Sequence, residues 1–206
     1  MLMSHKVCCG VLVICSVTLG ACGRSPDASS TSAAPSTVAA TVDSVEATAP
    51  AETPSAGISP LGNANSEMKT LRPQAPSQLV VTDVRVGKHQ GFERIVFEFT
   101  GDGEPGWFID YSDTPTQQGS GKPVAYTGNT ALNVNIDGVV YPFELNIDDP
   151  NIGTTHGAGG FVTEVVNTGT FEGRCQFIIG MKERHAYSVQ TLQNPTRLVI
   201  DVLQAG

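Results

Sequence analysis

From Val80 onward the chain alternates apolar and polar residues with a period of two in eight short segments. They run Val80–Val86, Phe92–Phe99, Gly106–Tyr111, Ala131–Ile136, Phe161–Val166, Phe171–Gly180, Ala186–Leu192 and Arg197–Leu203. Successive side chains of a strand point to opposite faces, so this alternation makes strands with one buried face and one wet face. The segments are rich in β-branched and aromatic residues and are bounded by Gly, Asn, Asp or Pro, and no stretch shows helical spacing. In the second segment Ile95, Phe97 and Phe99 are expected to point inward, with Arg94, Val96 and Glu98 pointing outward. The pattern predicts an all-β domain, an antiparallel β-sandwich or partly closed barrel of about eight strands. Short links such as Asn167–Gly169 predict hairpins.

The rest of the chain has a different composition. With 206 residues there is room for one ordinary core plus appendages. His5 and Lys6 give a short basic start, and Val7–Leu19 is an apolar run of signal-peptide length, too short to span a bilayer, which takes roughly 20 residues. Leu19-Gly20-Ala21-Cys22 then resembles a bacterial lipobox, read by the peptidase through its small residues and lipidated on the cysteine thiol. Residues 1–21 are therefore expected to be a lipoprotein signal peptide. Cys22 is the expected lipidation site, a membrane anchor through acyl chains such as palmitate that each contribute about 0.8 kcal/mol per buried CH₂. The alternative is ordinary secretory cleavage with Cys22 incidental.

Residues 22–78 are dominated by Ala, Ser, Thr and Pro with no apolar periodicity, and such a segment buries too little surface to offset its ordering entropy. It reads as a disordered linker with an r.m.s. span of about 40 Å, leaving residues 79–206 as the folded domain. Three of the five cysteines lie in the signal segment. Cys175 is expected to be a buried thiol on the same face as Phe171, Phe177 and Ile179.

Chemistry is sparse. A formal net charge of -8 opposes binding to phosphate backbones, so nucleic acid is excluded as a partner. His89, His156 and His185 stand apart, with no paired metal-ligand or nucleophile–base spacing, and no metal or cofactor is expected. His89 reads as closing a hairpin, Gly153–Gly160 as a mobile loop and Asp148-Asp149 as a solvated turn. Glu104, Asp110 and Asp113 lie near Trp107, Phe108 and Tyr111 in sequence. An aromatic ring that stacks on a sugar face beside carboxylates is the usual basis of glycan recognition. Trp107, Phe108, Asp110 and Tyr111 are therefore candidate glycan-binding residues, against the alternative that Trp107 simply fills the core.

Val81–Tyr111, with its Gly-Phe-Glu-Arg turn leading into Val-Phe-Glu-Phe, then Gly119–Val124, Phe161–Gly173 and the closing Asn194–Val202, resemble the AMIN-like domain of actinobacterial cell-envelope lipoproteins. The last strand is also similar to the end of AMIN domains, β-sandwiches found on cell-wall amidases and secretins. The resemblance implies localisation to the envelope and binding of peptidoglycan. The expectation is a non-enzymatic, lipid-anchored protein on the extracytoplasmic face of the membrane, recognising cell-wall glycan or an envelope protein. A carrier or sensor of a small ligand or cation is the alternative. A hydrolase is third, and would need His156 or His185 to converge with carboxylates.

Overall fold

All eight alternating segments are strands in the computed structural model, which describes residues 57–204. The expected signal segment, Cys22 and most of the linker lie outside the described residues. The strands are β1 (Lys69–Leu71), β2 (Gln74–His89), β3 (Phe92–Glu104), β4 (Gly106–Ser112), β5 (Thr130–Asp137), β6 (Thr154–His156), β7 (Val162–Phe171), β8 (Arg174–Met181), β9 (Tyr187–Leu192) and β10 (Arg197–Leu203). A 3-10 turn, Pro142–Leu145, interrupts them. They form two antiparallel sheets, β1-β4-β5-β8-β7-β6 and β2-β3-β10-β9. Because the ladders remain two separate sheets, the fold is a sandwich rather than a closed barrel.

The period-two pattern places the core. Ile95, Phe97 and Phe99 of β3 and Leu198, Ile200 and Val202 of β10 face Trp107, Ile109, Leu132, Val134, Ile136, Phe177 and Ile179 of the larger sheet. Phe97 and Phe177 meet across the sandwich with ring centroids 4.8 Å apart. Burying each such side chain contributes about 1.5–3 kcal/mol, so this layer carries most of the stability. Cys175 is buried in the same layer as expected, and burial pushes its thiol up to about 11.

Four expectations need correction. Phe171 does not share the face of Cys175. The β7–β8 turn is Glu172-Gly173, both at positive φ, so the chain reverses directly after Phe171 and leaves that ring on the outer face, 43 % exposed. Asn167–Gly169 is not a hairpin link but a register shift within β7. Gly153–Gly160 is not simply a loop, because Thr154–His156 pair with Val166, Val165 and Glu164 as the edge strand β6. Arg94 does leave the sandwich on the outer side, yet it is almost fully buried.

Residues 57–71 account for the burial of Arg94, and they revise the expected linker, which was to run to Gln78. Arg94 donates through Nε and Nη2 to both carboxylate oxygens of Asp201, at 2.6 and 2.7 Å, directly across the β3–β10 ladder. Its Nη1 and Nη2 also donate to the carbonyls of Gly57 and Ser59, and Asp201 also accepts from the Leu61 N–H. Ser188 bonds the Leu61 carbonyl. The segment then passes the edge of β9, where Asn65 and Tyr187 exchange both backbone bonds, and joins the other sheet as β1 beside β4. An Arg–Asp pair this dry is tolerated only when its polar atoms find partners, and the segment supplies three of them: the carbonyls of Gly57 and Ser59 and the Leu61 N–H.

Candidate functional site

Strand register sorts the four candidate glycan-binding residues onto two faces. Trp107 lies in the core between the sheets and offers no ring to a ligand. Tyr111 also turns inward. It donates its hydroxyl to the His185 carbonyl at 2.6 Å, meets Tyr187 edge-on at 5.8 Å, and carries the Arg184 guanidinium 4.4 Å above its ring. Phe108 and Asp110 alternate with these two and lie on the outer face of the six-stranded sheet. Glu104 and Asp113 do not join them: Glu104 accepts from Gln193, and Asp113 from the Thr130 hydroxyl.

That outer face carries two neighbouring polar rows. Phe108, Asn135 and Gln176 are directly opposed across β4, β5 and β8. Gly106, Asp137, Arg174 and Phe171 form the next row, at the end of the sheet. The segment between β4 and β5 folds over the middle of this face. Gln118 N–H donates to the Gln176 side chain, whose amide in turn donates to the Thr116 carbonyl and to Asn133. Asp110 sits beside Asn133. Burial raises its carboxyl above the usual carboxylate range, against the lowering pull of the Asn133 amide.

At the edge of this roof is a hollow of about 320 Å³ lined by Gln118, Gly119, Asp137, Phe171, Glu172 and Arg174. Gly119, at φ +73, lies against the Phe171 ring, and a side chain there would press on the ring. The guanidinium of Arg174 grips Asp137 in a bidentate pair at 2.5 and 2.9 Å, half open to solvent. The Gln118 amide nitrogen is buried with no hydrogen-bond partner. An exposed ring beside planar donors and acceptors is what binding the apolar face and hydroxyls of a sugar requires.

The remaining candidates stay apart. His89 closes the β2–β3 hairpin, as expected, and its ring stacks on Phe92 at 4.6 Å. Asp149 accepts from the Asn151 N–H in a tight exposed turn. His156 is exposed on β6. His185 is buried against Phe161 at 4.1 Å, and Glu183 at 3.7 Å is its one carboxylate neighbour among the described residues. No three His, Cys, Asp or Glu side chains converge as metal ligands do among the described residues, and no helix there is long and apolar enough to cross a membrane.

The sequence reading missed Phe171, Arg174, Asp137 and Gln118. Its one available signal was Gly173, a residue suited to positive φ that stands two positions after the aromatic. A family model described as the AMIN-like domain matches residues 79–204. Among curated proteins no match is found.

Proposed function

Because this chain belongs to the AMIN-like domain family, a non-catalytic domain type of the cell envelope associated with peptidoglycan, we propose that it binds cell-wall glycan through the outer face of its six-stranded sheet. The observation that carries this reading is the exposed Phe171 ring beside the Arg174–Asp137 pair and the unpartnered Gln118 amide. Phe171 stacks on the sugar face, Gln118 donates to a hydroxyl or acetamido oxygen, and Asp137 and Arg174 take up the neighbouring polar groups. Phe108 and Asp110 extend the same face. The protein is held at the membrane by acyl chains on Cys22, so tethering raises the effective concentration of the wall at the domain and a weak intrinsic affinity suffices.

The test is co-sedimentation of the full chain with purified sacculi. Wild type pellets saturably, and Phe171→Ala stays in the supernatant while keeping its thermal transition. If Phe171→Ala pellets as wild type does, the assignment of the face is wrong; if wild type does not pellet, direct wall binding is wrong. For the anchor, a clickable palmitate analogue labels the wild-type chain, whereas Cys22→Ala is unlabelled and leaves the membrane fraction.

A further inference from the structure

At the opposite end of β8 from Arg174 lies a second cleft, of about 330 Å³, lined by Lys88, His89, Glu93, Gly160, Phe161 and Lys182 among others. We propose that it binds a zwitterionic ligand, an amino acid or short peptide with a free amino group and a free carboxylate, independently of the glycan face.

Three observations support it. Glu93 alternates in phase with Ile95, so it points between the sheets, and at 1 % exposure it is a carboxylate taken out of water. Its Oε2 is satisfied by the N–H groups of Phe161 and Val162, both at 2.7 Å, while its Oε1 is buried with no partner. An orphaned buried acceptor costs about 1–3 kcal/mol, more for a charged group, and is the kind of atom that a bound donor relieves. Gly160 is packed directly on this carboxylate, and a Cβ there would overlap it, so the chain is shaped around Glu93.

The second observation is the charge around it. Lys88 stands opposite Glu93 in the β2–β3 ladder, and Lys182 directly follows β8, its N–H donating to the Phe161 carbonyl. Neither ammonium lies within ion-pair distance of a carboxylate among the described residues. In a chain of net charge -8, two unpaired lysines on one cleft are complementary to an anion.

The third observation is that both signs occur together. A simple anion would meet the Glu93 carboxylate, and a simple cation would meet the two lysines. A ligand whose ammonium or N–H donates to Glu93 Oε1, and whose carboxylate lies between Lys88 and Lys182, satisfies both. The volume is at the small end of ligand pockets and suits a small molecule rather than a polymer chain.

The test is titration of the full chain with alanyl-alanine, in its L,L and D,D forms, followed by calorimetry and by NMR shifts of the Phe161 and Val162 amides. The expected result is saturable binding of at least one stereoisomer below about 10 mM, weakened about ten-fold or more by N-acetylation and again by C-amidation. Lys182→Met, an exposed change that leaves the fold intact, weakens binding about ten-fold, and Glu93→Gln removes the preference for the free amine. Sacculus binding by these variants is unchanged. Absence of saturation, equal affinity for the doubly blocked dipeptide, or an unchanged affinity in Lys182→Met overturns the proposal.

Discussion

The two outer faces of the sandwich each carry an arginine–aspartate pair built the same way, yet one is buried and the other is open to solvent. Arg94–Asp201 and Arg174–Asp137 are both bidentate and both directly opposed across neighbouring antiparallel strands. On the four-stranded sheet, residues 57–61 cover the pair and leave its side chains 4 % and 0 % exposed. On the six-stranded sheet the roof stops short, and the pair is 38 % and 25 % exposed beside Phe171. What differs is the cover. A covered pair bonded to the backbone of residues 57–61 locks that segment to the fold, while the open pair leaves donors and acceptors at the surface, as the proposed glycan face requires.

The most direct way to break this comparison is to remove one partner from each pair. Asp201→Ala strands a buried guanidinium and is expected to cost about 3–5 kcal/mol, seen as a large drop in the thermal midpoint. Asp137→Ala, on the open face, is expected to cost about 1 kcal/mol or less and to act on sacculus binding instead. Equal losses of stability would end the distinction. Trp107→Ala against Phe171→Ala sharpens it from the apolar side. The buried ring is expected to cost about 3–5 kcal/mol, and the exposed one well under that, as measured by chemical denaturation.

Between the faces, Cys175 provides a pH readout of the shared core. Its folded thiol is raised by burial to about 11 from an ordinary 9.0, so the unfolded chain loses the proton first. Stability is therefore expected to fall as pH rises from about 9 to about 11, by roughly 2–3 kcal/mol from this group, and Cys175→Ser to flatten that slope. A native chain at pH 8 is expected to resist alkylation at this position until it is unfolded.

The smallest effect is expected at Asp110. Its carboxyl is raised by burial, so the folded state holds the proton more tightly and loses stability as pH climbs past the ordinary value of 3.8. Asp110→Asn removes that loss, and its midpoint is expected to exceed wild type slightly at neutral pH and to converge with it in acid. A variant less stable than wild type at neutral pH would show that the Asn133 contact outweighs the burial.

Much of this is legible in the sequence. Each alternating segment became a strand, and the residues read as inward in β3 are the core. What misled was the reading of the polar residues on both faces. Outward Arg94 and inward Glu93 were read as ordinary members of a strand, but each bonds backbone groups from segments far away in sequence. Those two residues form half of the Gly-Phe-Glu-Arg stretch that carries the family resemblance, and Asp201 belongs to its closing strand. The stretch is thus explained by two buried polar contacts that no local pattern announces.

Among the candidate glycan residues, proximity along β4 was taken for proximity in space. Alternation itself separates Trp107 and Tyr111 from Phe108 and Asp110, so the register, once applied, divides the set in two.

From its sequence alone the protein was committed to strands, to their inward faces and to a β-sandwich, because those depend on side-chain periodicity, which is local. The tertiary structure alone decided which outward residues are covered and which are open. That choice rests on where residues 57–71, the segment between β4 and β5, and the turn at Glu172-Gly173 come to lie. Such placement is set by long-range hydrogen bonds and packing, which one strand's pattern does not encode.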